Sequence, residues 1–186
     1  MTKSPKYKTI SILFAVLITH YSFLSPVQTF AQDSFTTPPA SAPYEMTYPG
    51  ILPDHPFYFL KVAKDNVIGF FKGDPLDRAS FSLLQADKYM TASHMLLTQK
   101  KNSELAFSSL QRSQDYLEEA IKQTDAAKKE GVGTQEISQK IKVETKKHTM
   151  MMEELAKHID KKDADKFALE KKRADSLTKT AAALRP

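Results

Sequence analysis

The stretch Tyr48-Pro-Gly-Ile-Leu-Pro-Asp-His-Pro-Phe-Tyr-Phe-Leu-Lys61 marks the point where the character of this chain changes. The sequence before it is apolar and then rich in proline, serine and threonine, whereas the sequence after it has few residues that break helices. Its prolines fix φ and remove backbone donors, so they hold the chain extended or turning. We therefore expect this stretch to introduce a helical body, with Asp54 capping the first helix.

The sequence after Asp74 predicts an all-α fold. From there to Arg185 the only proline is Pro75 and the only glycines are Gly131 and Gly133, while apolar residues recur at spacings of three and four. No segment has the alternating pattern of a strand. We predict a short first helix followed by about four long antiparallel helices, arranged as a bundle or as two stacked helical hairpins. The predicted helices run from about Pro56 to Lys72, from Pro75 to Lys100, from Ser103 to Lys129, from a cap at Thr134 to a turn at Asp160–Asp163, and from that turn onward, although nothing at the turn forbids one continuous helix. Asp74 is the expected cap of the second helix, and Asn102 or Ser103 that of the third. Gly131-Val132-Gly133 is the expected stop after the third helix.

The first helix is unusually rich in aromatic residues, with Phe57, Phe59, Phe70 and Phe71. Because burying one phenylalanine side chain is worth about 1.5–3 kcal/mol, we expect this helix to pack across the bundle as a lid. The alternative is an interfacial helix that lies on a membrane surface. Tyr58 and Phe59 are the candidate partner contacts, and their exposure in the structure would be the first sign of such a role.

The first 31 residues have the layout of a secretory signal peptide. A basic leader at Met1–Lys8 precedes an apolar segment at Thr9–Leu24, and Thr29-Phe30-Ala31 supplies small residues before a cleavage point. Residues 32–47 have the composition of a disordered Pro-rich tether. This leaves residues 48–186 as the helical domain. We expect export across the cytoplasmic membrane to an extracytoplasmic location, secreted or at the cell surface, with an uncleaved membrane anchor as the alternative.

The charge of the chain gives little support to nucleic-acid binding. The formal net charge is +5, but three of the 27 basic residues lie in the leader, against 22 acidic residues. Nucleic-acid binding requires concentrated positive charge. The pattern of the densest basic region, Lys161–Arg173, indicates a solvated helix face. The alternative is a surface that binds an anionic envelope component. The expected partner is therefore an unidentified protein or envelope component.

The segment His148-Thr-Met-Met-Met152, together with His94 and His158, is the best candidate for a metal site. Imidazole and thioether groups suit copper, and Met151 or Met152 lies one helical turn from His148. Methionine also fills irregular cores, so we prefer a core role for these residues and expect no cofactor, keeping a metal or small-ligand binder as the alternative. No motif for a di-iron centre, a zinc protease or a phosphate loop is present, and no nucleophile is paired with a base. We therefore do not expect an enzyme.

The segment Leu52-Pro-Asp-His-Pro-Phe-Tyr-Phe-Leu-Lys61 resembles the opening box, Leu-Pro-Asp-x-Pro-x-Tyr-x-Leu-Lys, of a family of exported bacterial proteins with a domain of unknown function. The resemblance continues through Gly73-Asp74-Pro75, Leu83–Lys88 and Tyr116–Ala120, and so covers about residues 48–127. It implies export and a helical fold, and it carries over no catalytic residue. The leading hypothesis is a non-enzymatic exported helical module that acts through protein or envelope contacts.

Overall fold

The computed structural model describes residues 47–184, and within them the fold is all-α, as predicted. The elements are α1 (Tyr58–Phe71), α2 (Pro75–Thr98), α3 (Ser103–Lys129), α4 (Gln135–Ala156), a 3₁₀ turn (Lys161–Asp163) and α5 (Ala164–Ala183). The turn separates α4 from α5, which answers the question left open by the sequence. The predicted signal peptide at 1–31 and all but the last residue of the tether at 32–47 lie outside the described residues.

The predicted N-caps Asp74 and Asn102 are confirmed. The Asp74 side chain accepts a hydrogen bond from the Leu76 N–H at 2.7 Å, with Pro75 as the first residue of α2. The Asn102 side chain accepts one from the Leu105 N–H at 3.1 Å at the start of α3. Both caps satisfy N–H groups that have no partner within their own helix.

The glycine stop after α3 is confirmed. Gly131 has a φ of +77°, a conformation that glycine adopts at no steric cost. Its N–H donates to the Lys128 carbonyl, and the Val132 N–H donates to the Ala127 carbonyl, both at 3.0 Å. These two bonds form a Schellman C-cap, which satisfies carbonyls at the end of the helix.

Two other predicted caps are wrong. Asp54 does not cap α1, because backbone turns before Tyr58 delay the start of that helix; its carboxylate lies 3.4 Å from the Lys100 ammonium instead. Thr134 precedes α4, but its side chain makes no capping hydrogen bond. Its backbone has φ −112° and ψ 9°, whereas a capping residue is typically in the extended region.

Helices α2 to α5 bury two apolar clusters, and each cluster takes residues from all four helices. The first contains Met90, Leu96, Leu97, Ala106, Phe107, Leu110, Met151, Met152, Leu155, Phe167 and Ala174. The second contains Ala79, Leu83, Ala86, Leu117, Ala120, Ile121, Ile137, Ile141, Leu177, Ala181 and Leu184. The first cluster joins the C-terminal parts of α2 and α4 to the N-terminal parts of α3 and α5, and the second cluster joins the opposite parts of the same helices. Consecutive helices are therefore antiparallel and form one four-helix bundle. Helix α1 contributes to neither cluster.

Candidate functional site

Helix α1 packs on the bundle through its polar side. Tyr58, Lys61, Asp65 and Gly69 recur at spacings of three and four, so they share one face of the helix. The Tyr58 hydroxyl donates a hydrogen bond to the Tyr89 hydroxyl of α2 at 3.1 Å. The Lys61 Nζ lies 4.5 Å from the centre of the Tyr89 ring. Polar groups therefore make much of the contact between α1 and the bundle.

A buried carboxylate lies in the middle of this polar face. Asp65 is only 5% exposed, and its oxygens lie 3.1 Å from the Lys61 Nζ and 3.2 Å from the Lys64 Nζ. A buried charge is costly unless it is paired, and these two lysines pair it. Since one carboxylate balances only one of them, α1 retains a positive charge at this place.

Tyr89 is the centre of an aromatic group beneath α1. Its ring stacks on Tyr116 of α3 with 5.5 Å between the centroids and an interplanar angle of 11°, and the Arg112 Cζ lies 5.8 Å from its centroid. Burial raises the pKa of Tyr58 well above its usual range, and the hydrogen bond with Tyr89 raises it further. Burial also raises the pKa of Tyr116. The phenols of Tyr58 and Tyr116 therefore remain neutral at physiological pH. Tyr89 and Tyr116 form the platform on which α1 packs.

The opposite side of α1 is apolar and faces solvent. Phe70 is 81% exposed and Phe71 is 78% exposed. We define the α1 apolar face as Phe57, which directly precedes the helix, together with Phe59, Leu60, Val67, Ile68, Phe70 and Phe71, all of which are exposed. The expectation that α1 buries its phenylalanines as a lid is therefore wrong. Because the bundle presents tyrosine and arginine side chains at this place, the polar side of α1 turns inward and the apolar side remains outside.

The structure separates the two residues expected as partner contacts. Phe59 is 63% exposed and lies in the α1 apolar face. Tyr58 is half-buried and is hydrogen-bonded to Tyr89. Phe59 is thus available to a partner, whereas Tyr58 holds the helix in place. None of the helices within residues 47–184 has the length and apolar character needed to cross a membrane.

A pocket of about 400 Å³ lies beside α1. The segment Tyr48–Ile51 lines one side of it, Leu60, Lys61 and Lys64 of α1 line another, and Lys88 of α2 completes the basic part of the lining. Leu60 is also a member of the α1 apolar face, so the pocket adjoins that face. The chain therefore places a cluster of ammonium groups next to exposed apolar surface.

A second polar cluster is buried between α2 and α4. The Thr47 hydroxyl donates a hydrogen bond to Asp87, and the Lys147 Nζ lies 2.8 Å from Asp87 and 3.1 Å from Glu144. The His148 Nε2 lies 3.6 Å from the Asp87 Oδ1. Burial by itself would raise the pKa of Asp87, but the contacts with His148, Lys147 and Thr47 outweigh it and lower that pKa to about 2. This cluster attaches Thr47, the first described residue, to the bundle.

The same cluster brings three possible metal ligands together. One ligand atom each from Asp87, Glu144 and His148 lies within 4.8 Å of the other two, and carboxylate and imidazole groups are ligands that zinc accepts. The ammonium of Lys147 already pairs with both carboxylates, so a metal ion would have to displace it. The sequence indicated His148 but missed the two acids, because a contact such as Lys147 with Asp87 joins residues 60 positions apart. The signal available in the sequence was Asp87, an acid at a core position of α2.

The remaining candidate ligands lie in two other places. Met151 and Met152 are 0% and 1% exposed and belong to the first apolar cluster, the environment of core methionines. His94 is buried, and this burial lowers its pKa. The charge of Glu154 raises the pKa of His94, and the charge of His158 lowers it. The His158 Nε2 lies 3.6 Å from Glu154. Of the three predicted histidines, His94 and His158 therefore lie near Glu154, and His148 belongs to the Asp87 cluster.

A protein-family model matches residues 50–179 of this chain, and its description is "Domain of unknown function (DUF5667)". No curated protein and no solved structure matches the chain. The match begins within the Tyr48–Lys61 stretch and continues into α5, so it extends well beyond the part, residues 48–127, in which the sequence resemblance was recognised.

Proposed function

Since this chain belongs to the DUF5667 family, whose description names no activity, we propose from its geometry that it is an exported, non-enzymatic helical module that acts at the cell envelope. The proposed contact is the α1 apolar face, and the proposed partner is a lipid membrane surface. One observation carries the proposal. Helix α1 packs its polar side on the bundle and leaves its phenylalanines in water.

The energetics of the α1 apolar face favour an apolar partner. Moving one phenylalanine side chain out of water is worth about 1.5–3 kcal/mol, and Phe59, Phe70 and Phe71 are each more than half exposed. A helix whose wide apolar side faces solvent, with its polar side on its own domain, is able to lie in the plane of a membrane interface. The 14 residues of α1 extend about 21 Å, which is shorter than the hydrocarbon core of about 30 Å, so the proposed contact lies along the membrane surface.

The polar groups around α1 support attachment in preference to catalysis. The Asp65 carboxylate is paired with two lysines, and the raised pKa values of Tyr58 and Tyr116 keep both phenols protonated at neutral pH. None of these three groups is therefore poised to act as a base or a nucleophile. Export is proposed from the signal-peptide layout of residues 1–31.

The absence of tryptophan from the chain permits a direct test on the full-length protein. In the variant F70W the only indole reports on the α1 apolar face. The control is L169W, which places the indole on α5, where Leu169 is 69% exposed. We expect phospholipid vesicles to shift the emission of F70W to shorter wavelength and brominated acyl chains to quench it, while L169W is unaffected.

Three results would overturn this proposal. F70W unchanged by vesicles would show that the face does not enter lipid, and an equal response of L169W would show that it is not selective. A blue shift of F70W that follows protein concentration without vesicles would assign the face to a second copy of the chain.

A second candidate function is metal binding at Asp87, Glu144 and His148, favoured by the grouping of their ligand atoms and by the absence of a hydrogen bond to either ring nitrogen of His148 within residues 47–184. It ranks second because Lys147 already balances the carboxylates. Calorimetric titration with Zn²⁺ and with Cu⁺ tests it, using H148Q and the control H55Q, since His55 is exposed. Micromolar or tighter binding that is lost only in H148Q supports the site, and no such binding ends it.

A further inference from the structure

The pocket beside α1 has the charge of an anion-binding site. Lys61 and Lys64 share the single carboxylate of Asp65, which also lines the pocket. Lys88 lines the same pocket, and no carboxylate pairs with it among the ion pairs of residues 47–184. The pocket lining therefore carries a surplus of two positive charges, and this surplus is complementary to a phosphate group.

The three lysines differ in burial. The Lys61 side chain is 9% exposed, and it is held by Asp65 and by the Tyr89 ring, 4.5 Å from its Nζ. The Lys64 side chain is 63% exposed, and Lys88 is half-buried. Lys61 thus provides an enclosed charge, while the ammonium groups of Lys64 and Lys88 are more accessible to a ligand.

The apolar part of the lining distinguishes a lipid from a free anion. Ile51 and Leu60, which are 40% and 53% exposed, line the pocket together with the lysines, and Leu60 continues into the α1 apolar face. A free phosphate gains nothing from such side chains, whereas a phospholipid has apolar chains attached to its phosphate. The volume of about 400 Å³ lies within the usual range for small-ligand pockets.

We propose that this pocket binds the phosphate headgroup of an anionic phospholipid while the α1 apolar face lies in the membrane interface. The inference rests on the proposed membrane function and specifies its ligand. Lys64 and Lys88 contact the phosphate, and Lys61 sets the local field. Attraction to the membrane thereby depends on its lipid composition as well as on apolar area.

The test measures partitioning of full-length F70W onto two kinds of vesicle, one of neutral phosphatidylcholine and one that also contains phosphatidylglycerol. We expect tighter binding to the anionic vesicles. In the F70W background, K64Q and K88Q should each weaken that binding about fivefold, the contribution of one lysine near an anionic surface, and leave binding to neutral vesicles unchanged. The control is K140Q, since Lys140 is 62% exposed and paired with one acid, as Lys64 is 63% exposed and paired with Asp65.

The outcomes separate this inference from the proposed function. If F70W binds neutral and anionic vesicles equally, the membrane function stands and the headgroup site is overturned. If K140Q weakens binding as much as K64Q and K88Q do, the effect is general surface charge and the pocket assignment is overturned. If F70W enters neither vesicle, the proposed function fails and this inference fails with it. Thermal unfolding by circular dichroism confirms that each variant is folded.

A calorimetric titration with soluble glycerol phosphate distinguishes the two sources of phosphate. We expect no saturable heat, because the soluble ester lacks the acyl chains that contact Ile51 and Leu60. Saturable binding that K88Q abolishes would make a free phosphate ester the ligand and overturn the lipid assignment.

Discussion

The Tyr58 hydroxyl of α1 donates a hydrogen bond to the Tyr89 hydroxyl of α2, at a distance of 3.1 Å. The Lys61 ammonium lies over the Tyr89 ring, so Tyr89 receives two polar groups from successive turns of α1. This attachment fixes which side of α1 meets the bundle. The exposure of the α1 phenylalanines follows from this orientation.

Removing this hydrogen bond should loosen α1 and leave the bundle intact. A side-chain hydrogen bond is worth about 0.5–1.5 kcal/mol, so we expect Y58F to increase hydrogen exchange in α1 and not in α2 to α5. The control is Y116F, which leaves the bond between Tyr58 and Tyr89 in place. Equal exchange in wild type and Y58F would show that the bond does not hold α1.

Gly69 lies against Phe81 of α2, and a Cβ built on Gly69 would lie 3.2 Å from the Phe81 Cε1. A large side chain at this position must push α1 away from the bundle, so we expect G69L to raise hydrogen exchange throughout α1. At Gly73 a Cβ would meet nothing within 4 Å, and G73L should leave α1 protected. If G69L also leaves α1 protected, the close approach to Phe81 does not determine its position.

The exposed phenylalanines should contribute little to folding stability. Because Phe70 and Phe71 are 81% and 78% exposed, we expect F70S and F71S to change the free energy of unfolding by no more than about 0.5 kcal/mol, as for ordinary surface positions. F107A is the contrasting variant, since Phe107 is 3% exposed and truncation of a core phenylalanine costs about 3–5 kcal/mol. Urea unfolding followed by circular dichroism measures all three. A loss in F70S or F71S comparable to that in F107A would contradict the exposure of this face.

The helix boundaries were predictable because their signals are local. Asp74 with Pro75, Asn102, and Gly131 each act on backbone groups within a few residues, and the structure confirms all three. The cap assigned to Asp54 failed because the sequence does not show how many turns precede a helix. Local chemistry thus predicts where a helix starts or ends only when the signal lies at the boundary itself.

The orientation of α1 was not predictable because periodicity identifies two faces and does not say which one is buried. Which face of α1 is buried depends on Tyr89 and Tyr116, which present a polar aromatic platform. These two residues come together only when α2 and α3 pack. The Asp87 cluster is similar, since Asp87 and Lys147 lie on helices far apart in sequence. Candidate sites built from contacts between helices therefore required the structure.

The methionines of α4 should behave as core residues. Met151 is fully buried in the first apolar cluster, so M151L, which conserves volume, should cost less than about 1.5 kcal/mol, whereas M151A should cost about 2–5 kcal/mol. Binding of Cu⁺ should be the same in M151L as in wild type. If Met151 were a thioether ligand, M151L would lose Cu⁺ affinity.

The Asp87 cluster should make the domain sensitive to acid. The pKa of Asp87 is lowered from 3.8 to about 2, so its ionised form contributes stability that is complete above the ordinary pKa and is lost as the pH falls towards 2. A shift of this size corresponds to about 2 kcal/mol. We expect urea unfolding to show this loss between neutral pH and pH 2, with protonated Asp87 no longer pairing with Lys147.

The variant D87N tests the assignment of this acid sensitivity. At neutral pH it should destabilise the domain by about 3 kcal/mol, because the mostly buried Lys147 loses one of its partners, and it should lose less stability than wild type on acidification. E136Q is the control, since Glu136 pairs with Lys140 on the surface and such pairs contribute little. If D87N and wild type lose the same stability on acidification, Asp87 is not the acid-sensitive group. Glu144, which also lies within 3.1 Å of the Lys147 ammonium, would then be the next carboxylate to replace.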